Sequence, residues 1–393
     1  MSEANDQAGN RARQSPDDHF FEDPRAGIRG NAVRLLRNGQ EAFPVWLAAI
    51  EAASISVSLE MYIFENDSIG VRFAEALSRA AQRGVAVRLM YDYMGCRNTP
   101  NEFFEEIRAA GAHVAVYNGY RGWRPNFWAM FRRDHRKTLV VDGVLAFTGG
   151  LNIAREWMHA REGGDDWRDA VIEVRGPAVP RIEATFARVW NRRTPKGGAL
   201  VIRRTPTPVA VGPTAVAVVS NSERHERFAI RRSVLHALRL AQQRIYIANP
   251  YFVPDRGVVR ALEEAARRGV DIRVLLPTES DSEIVDAASR AMFPRLMEAG
   301  VQIWQSRAVT HTKAVLVDDV FVSIGSYNFD HRSLAYNLEV VINVVDREFN
   351  AAFEAVFHSE LEESVRIDPL LFGGRALLLR LVDKGAHALR QWL

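Results

Sequence analysis

Apolar residues recur along this chain in two alternating rhythms. From Ala42 to Ala53 the spacing is helical, with Phe43, Trp46, Leu47 and Ile50 on one face. Ser54 to Phe64 then alternates, placing Ile55, Val57, Leu59, Met61 and Ile63 on one side, as a half-buried strand does. An amphipathic helix from Ser68 to Arg83 stops at Gly84 and leads into a strand from Val85 to Met90. Another from Asn101 to Ala110 stops at Gly111 before a strand from His113 to Tyr117. Glycine just past a helix end accepts the left-handed conformation without penalty. Strands and helices alternating at these lengths predict α/β domains with a largely parallel sheet.

Residues 119–134 break the rhythm by mixing Arg with Tyr, Trp, Phe and Met, which suits a rim for apolar chains and anionic head groups. Val171 to Val174 reads as a strand and Arg181 to Trp190 as a helix closing the first half. Residues 194–214, rich in Pro, Gly, Thr and Arg, read as a linker.

The second half repeats the order of the first. A helix from Ser233 to Ala241 precedes a strand from Arg244 to Phe252, and a helix from Gly257 to Arg268 ends at Gly269 before a strand from Val270 to Leu276. Arg295 to Ala299 ends at Gly300 before a strand from Val301 to Trp304. An internal duplication is the economical explanation. It divides the chain into a disordered segment (residues 1–30), one domain over 31–193, the linker, a second domain over 215–368, and a tail over 369–393.

The duplication is strongest where the chemistry lies. His135, Lys137, Asp142, Gly149, Gly150 and Asn152 fit H-x-K-x4-D-x6-G-[GS]-x-N, and so do His311, Lys313, Asp318, Gly325, Ser326 and Asn328, with no insertion. A lone H-x-K on an apolar strand is unremarkable, but the whole six-position pattern occurring twice in matching places is not. Each His and Lys, two apart on an apolar strand, point to one face. Asp142-Gly143 marks a hairpin turn, with Val144 to Phe147 as the return strand. If the turn centres there, Gly150 lies across from His135 and Asn152 falls just beyond it. Asp142 and Asp318 therefore hold the hairpins rather than touch substrate. Two lysines, two amides and two histidines make a tetrahedral anion site with two titratable groups. That suits phosphoryl transfer, in which the protein positions the group and stabilises its oxygens. One His attacks phosphorus while the other moves the proton. Each His needs a partner on its other nitrogen. Asp169 and Glu339, each downstream of its own Asn, are the candidates, so Asp169 is expected on His135 and Glu339 on His311. The lysines supply the positive charge, and neither a metal nor another cofactor is required.

Composition adds a few constraints. The chain has 393 residues and a net charge of +3, and its only lysines are Lys137, Lys196, Lys313 and Lys384. A base-composition bias explains the preference for Arg, yet two of those four lysines occupy the same motif position, where a compact ammonium is wanted. The single Cys96 excludes an intrachain disulfide framework and a Cys-based zinc site. No signal peptide is apparent, and no apolar run reaches the roughly 18–20 residues of a membrane span. In the tail, Leu377, Leu378, Leu381, Val382, Leu389, Trp392 and Leu393 share one helical face, with Arg375, Arg380, Lys384 and Arg390 largely on the other. That pattern fits a helix lying in the surface of an anionic membrane.

The paired motifs, with Phe131-Arg132-Arg133-Asp134 before the first, Thr310 before the second, and Arg332-Ser333-Leu334 and Asn337-Leu338-Glu339 after it, resemble the phospholipase D superfamily. They are most similar to bacterial cardiolipin synthases of the type without amino-terminal spans, over about residues 31–368. The resemblance implies two α/β/α sandwich domains about a pseudo-twofold axis, with one shared active site. It implies a phosphatidyl-histidine intermediate, with His135 as nucleophile and His311 as acid/base. The implied substrate is phosphatidylglycerol, an anionic phospholipid, whose phosphatidyl group passes to a second lipid hydroxyl with release of glycerol. The implied location is peripheral, on the cytoplasmic face of the cell membrane, with no nucleic-acid partner. A phospholipase D hydrolase and a metal-independent nuclease or phosphodiesterase are the alternatives. Gly150 in place of a counterpart to Ser326, and the longer distance from Asn152 to Asp169, are departures that single out the first copy.

Overall fold

The computed structural model describes residues 15–119, 132–194, 209–221 and 226–392. The central part of the aromatic loop (120–131) and most of the linker (195–208) lie outside the described residues.

The first half runs β1 (Ile28–Arg37), α1 (Asn38–Ala52), β2 (Ser56–Met61), α2 (Ser68–Gln82), β3 (Ala86–Asp92), α3 (Asn101–Ala109), β4 (His113–Tyr117), β5 (Thr138–Val141), β6 (Leu145–Gly149), β7 (Ala170–Arg175) and α4 (Val179–Arg193). The second begins with β8 (Thr214–Ser220), α5 (Ala229–Leu240), β9 (Arg244–Ala248), α6 (Arg256–Arg267) and β10 (Asp271–Pro277). It continues with α7 (Glu283–Arg290), α8 (Phe293–Glu298), β11 (Gln302–Ser306), β12 (Ala314–Val317), β13 (Phe321–Gly325) and α9 (His331–Ala335). It closes with β14 (Val340–Val345), α10 (Arg347–Glu362), β15 (Ser364–Arg366), α11 (Pro369–Gly373) and α12 (Leu377–Ala388).

Strand order in the first half is β1-β7-β6-β5-β2-β3-β4, and β8-β14-β13-β12-β9-β10-β11 reproduces it. Because β1 also pairs with β8, through Ile28 and Asn31, the halves join into one sheet. Among the described strands, those of β2-β3-β4 and β9-β10-β11 pair in parallel and the rest antiparallel. The expected largely parallel sheet is thus a mixed one, because each motif strand doubles back as a hairpin and pairs antiparallel with β2 or β9.

The outer faces are covered by α1, α2 and α3 on the first half and by α5, α6 and α8 on the second. The inner faces meet: Val140, Ala146 and Ile172 share one core with Leu316, Ile324 and Ile342, and α4 and α10 complete it. With both faces covered, every residue of β5 and β12 is buried, Leu139 and Val141 packing outward and Val140 inward. Gly84 and Gly269 occupy equivalent helix ends, each at φ 88°, as the repeated helix-Gly-strand pattern requires.

Residues 15–30 correct an expectation. They are ordered rather than disordered, because Phe20 and Phe21 insert into the core of the second half beside Ala215, Ile230 and Val234. Each buried phenylalanine contributes about 1.5–3 kcal/mol, enough to fix a short segment of otherwise polar composition.

In the tail, α12 packs on α7 through Ala386 and Asp383, the latter paired with Arg290 at 3.3 Å and with Arg375 at 2.8 Å. Arg375 therefore faces the protein. The apolar positions turn outward: Leu370 is 87% exposed, Leu371 77%, Leu377 63% and Leu378 72%. Among the described residues no helix is long and apolar enough to cross a membrane.

Candidate active site

Each motif runs into the site along an extended segment, then enters its hairpin. Pairing starts at Thr138 with Thr148, so His135 and Lys137 precede the strand, and the continued register sets His135 opposite Leu151 rather than Gly150. The shift arises because Asp142, Gly143 and Val144 form a three-residue turn, with Asp142 at φ 53° and Gly143 at φ 69°. Asp142 sits at the end of β5 away from the site and accepts from the backbone N–H groups of Ser54, Ile55 and Ser56. Burial pushes its carboxyl up, but those N–H groups outweigh burial and hold it below its ordinary value. Asp318, also at φ 53°, does the same for Gln242, Gln243 and Arg244. The two aspartates tie each hairpin to the start of β2 or β9.

The histidines are held by crossed contacts between the halves. His135 donates its backbone N–H to Leu338 O at 3.0 Å, and Leu338 donates to Arg133 O at 2.8 Å. Equivalently, His311 N–H donates to Arg168 O at 2.7 Å, and Arg168 N–H donates to Val309 O at 2.9 Å. These two short parallel bridges set His135 beside Glu339 and His311 beside Asp169. His135 Nδ1 lies 3.1 and 3.2 Å from the two Glu339 carboxylate oxygens, and His311 Nδ1 lies 2.8 Å from Asp169 Oδ2. The expected pairing is therefore reversed. Each acid orients the histidine of the other half, because it follows the bridge that the partner motif makes and not its own Asn.

Both acids are built into the site. Glu339 is fully buried and accepts from Ser326 Oγ and, at 2.8 Å, from Ser333 Oγ, while Asn221 Oδ1 accepts its backbone N–H at 2.7 Å. Asp169 accepts from Trp157 Nε1 at 3.2 Å and from Ala170 N–H at 2.8 Å, while Asn38 Oδ1 accepts its backbone N–H at 3.0 Å. Burial pushes Asp169 up to about 6, with Lys313 pulling against it. The indole edge of Trp157 also packs on the His311 ring, at 5.3 Å between centroids, and Tyr62 packs likewise on His135 at 4.9 Å.

Lys137 and Lys313 are buried and converge. Lys137 Nζ donates to His135 O at 2.6 Å and lies 5.0 Å over the Tyr62 ring. Lys313 Nζ donates to His311 O and lies 2.9 Å from His311 Nδ1; since that nitrogen gives its proton to Asp169, the second approach is a charge contact and not a hydrogen bond. Burial, then the Lys313 charge, holds Lys137 well below its ordinary value, and burial lowers Lys313 to about 8. Burial and then the neighbouring lysine also lower both histidines, His311 the more strongly. Asn152 fixes its carboxamide by accepting from Ile63 N–H at 3.2 Å, and Asn328 keeps a buried Oδ1 without a hydrogen-bond partner. The structure thus gathers His135, Lys137, Asn152, Asp169, His311, Lys313, Ser326, Asn328 and Glu339, and sets Asp142 and Asp318 apart.

Sequence reasoning missed Trp157, Ser333, Asn38 and Asn221. The asparagines left a signal: each directly follows the first strand of its half, so superposing the repeats aligns them. It also missed Arg136, fully buried between Asp134 at 2.7 Å and Glu60 at 2.5 Å, which braces the first motif from behind. The second copy has Thr312 there, so no repeated residue marked it. Among the described residues no group of three or more His, Cys, Asp or Glu could hold a metal ion.

Known proteins match this chain in sequence and in fold. The family model described as "Cardiolipin synthase, PLD-like domain" matches residues 46–190 and 234–361, one match per repeat. Cardiolipin synthase A of Pseudomonas entomophila (strain L48) is 34% identical over 341 residues, covering 86% of this chain and 70% of that protein. The cardiolipin synthase of Geobacillus sp. (strain WCH70) is 34% identical over 361 residues, covering 91% and 71%. In fold, the chain is similar to the crystal structure of phosphatidylserine synthase from Haemophilus influenzae Rd KW20, with a TM-score of 0.70 at 12% identity over 92% of this chain and 95% of that one. With both repeats matched and identity at this level over most of its length, the chain belongs to the cardiolipin synthase family of phospholipase D-like proteins.

Proposed function

We propose that this protein is a cardiolipin synthase that transfers a phosphatidyl group between two phosphatidylglycerol molecules through a histidine. The observation that carries the reading is the crossed pair: two buried imidazoles, each with Nδ1 on a carboxylate from the other half, beside two buried lysines. With Nδ1 committed, each Nε2 is the reacting nitrogen. His135 Nε2 attacks phosphorus of the donor, and the bond from phosphorus to the glycerol oxygen breaks. That oxygen takes a proton from His311 Nε2, and glycerol leaves. The hydroxyl of the second lipid then gives its proton to His311 and attacks phosphorus, the P–N bond breaks, and cardiolipin forms with His135 restored. Lys137, Lys313 and the two amides stabilise the non-bridging oxygens. Burial and then the lysine charges hold His311 down; a phosphodiester anion offsets the lysine charges, so bound substrate raises His311 toward the acid form the first step needs. The assignment of nucleophile to His135 follows the family resemblance.

The substrate lies in a membrane, and the outward apolar face of α11 and α12, flanked by the exposed Arg380 and Lys384, supports peripheral attachment to anionic lipid. The test is to incubate the protein with vesicles of labelled phosphatidylglycerol and, separately, with single-stranded DNA. Cardiolipin and glycerol are expected from the first and nothing from the second. Phosphatidic acid alone would mean a hydrolase, and DNA cleavage a nuclease.

A further inference from the structure

A cavity of about 570 Å³ borders the Asn337-Leu338 segment that leads into Glu339 and is lined by Arg132, Arg192, Arg193, Arg227, Asn337 and Leu338, among others. Its lining among the described residues includes four arginines and no carboxylate. Arg192 and Arg193 end α4, and the Arg193 guanidinium stacks 4.4 Å over the Tyr117 ring, which holds it at the cavity wall. The wall nearest the chemistry is shared with it. Leu338 O receives the His135 backbone N–H, and the Asn337 amide approaches Glu339 Oε1 at 3.5 Å. A ligand seated here is therefore next to the pair that orients His135.

The transfer reaction needs such a place. Both lipids carry a phosphodiester anion, and the donor's occupies the two buried lysines. Two like charges held close together in a partly buried site repel strongly, so the acceptor's phosphodiester must be neutralised separately. Guanidinium groups suit that role, since their planar forks match phosphate oxygens. The volume is within the range of about 300–1,000 Å³ typical of ligand pockets. We propose that this arginine-lined cavity holds the phosphodiester of the acceptor lipid and so presents its hydroxyl to the phosphatidyl-enzyme. The inference rests on the transfer reaction proposed above.

The test uses the full chain with Arg193→Gln, Arg227→Gln and both together, on vesicles of labelled phosphatidylglycerol, with thermal melts as a control for folding. Glycerol release in a single turnover reports the first half-reaction, and the ratio of cardiolipin to phosphatidic acid reports whether a lipid or water accepts the group. Glycerol release within about twofold of the parent is expected, with the ratio falling at least tenfold in the double variant. Inorganic phosphate is the second probe. If it lowers the ratio in the parent but not in the variant, the cavity takes phosphate anions generally; if it lowers neither while the variant's own ratio still falls, the cavity requires the lipid headgroup. An unchanged ratio with intact glycerol release would overturn the assignment. So would glycerol release falling in step with cardiolipin, which would place the cavity on the donor's path. A parent protein that releases no glycerol would instead overturn the transfer reaction itself.

Discussion

The crossed pairing of acids and histidines predicts how variants group. Asp169→Asn must behave like a defect in His311, and Glu339→Gln like a defect in His135. The contacts at stake are His311 Nδ1 to Asp169 Oδ2 at 2.8 Å, and His135 Nδ1 to the Glu339 carboxylate at 3.1 and 3.2 Å. A buried hydrogen bond to a charged partner contributes about 1.5–3 kcal/mol, which is about ten- to 150-fold in rate at one decade per 1.36 kcal/mol. Both variants should therefore lose turnover on phosphatidylglycerol by about that factor, and loss alone does not separate them. A phosphatidyl ester of p-nitrophenol does, because its leaving group departs as the anion and needs no proton. If His135 is the nucleophile, His311→Ala and Asp169→Asn recover their burst of nitrophenolate, measured by stopped-flow absorbance, whereas His135→Ala and Glu339→Gln do not. If the roles are exchanged, the two groups exchange behaviour but keep their members. In addition, Asp169→Asn in the His311→Ala background should cost less than about twofold further, since residues acting through one contact are not additive. Asp169→Asn grouping with His135→Ala would refute the crossed arrangement.

The geometry and charges of the site and the tail lead to three further expectations. Asp169, raised from 3.8 to about 6 by burial, must be charged to hold His311, and Lys313, lowered from 10.5 to about 8 by burial, must be charged to hold phosphate. The kcat/KM of the free enzyme on a soluble short-chain phosphatidylglycerol should rise through about pH 6 and fall through about pH 8, and a flat profile from about pH 5 to 9 would contradict it. The stability signs agree: protonated Asp169 favours folding at low pH and that contribution is lost as pH rises through about 6, while neutral Lys313 favours folding above about 10.5 and that contribution is lost as pH falls through about 8. A Cβ at position 150 would lie 2.7 Å from Asp169 Oδ2 and closer still to Oδ1, so Gly150→Ala should lower turnover at least tenfold with an unchanged circular-dichroism spectrum; turnover within twofold of the parent would sink this. Replacing Leu377, Leu378 and Leu381, all more than half exposed, by Glu should abolish sedimentation with anionic liposomes and leave the melting temperature within a few degrees; unchanged sedimentation would remove the tail from the membrane contact.

The sequence disclosed whatever a contiguous string or a period encodes. Helix ends at Gly84 and Gly269 were legible because a glycine stop is a local requirement, and the convergence of His, Lys and Asn was legible because the whole string occurs twice. Which acid meets which histidine was not. It depends on the bridges Asp134–Leu338 and Arg168–Thr310, which join residues 204 and 142 positions apart and have no local signature. β1 was missed for a related reason. Its burial is irregular, with Asn31 and Leu36 its fully buried positions, because it lies at the junction of the halves between β7 and β8 and has no simple inside and outside. The ordering of Phe20 and Phe21 was hidden by the polar residues around them.

The two copies of the site have diverged as coupled pairs and not residue by residue. Asp169 and Glu339 each stand immediately before the strand that follows their hairpin, β7 and β14, and each strand begins with a backbone N–H to satisfy. In the first half the short Asp169 side chain folds back and accepts from Ala170 N–H itself, at 2.8 Å, which brings its oxygens over position 150 and leaves room there for nothing larger than glycine. In the second half the longer Glu339 reaches farther toward its histidine. Ser326, at the position of Gly150, then takes over the strand's first donor, accepting from Val340 N–H at 3.1 Å while donating its own proton to Glu339. Glycine with aspartate, and serine with glutamate, are thus two solutions to the same two demands: an oriented imidazole in the other half and a paired N–H at the start of the strand. Gly150 with Asp169 in the first copy, against Ser326 with Glu339 in the second, is one change seen at two positions. They give the two histidines unlike surroundings on a symmetric frame, with His311 carrying the ammonium of Lys313 at its ring and His135 facing a carboxylate shared with Ser326 and Ser333. Unlike surroundings are what a reaction needs when one imidazole must bond to phosphorus and the other must carry a proton.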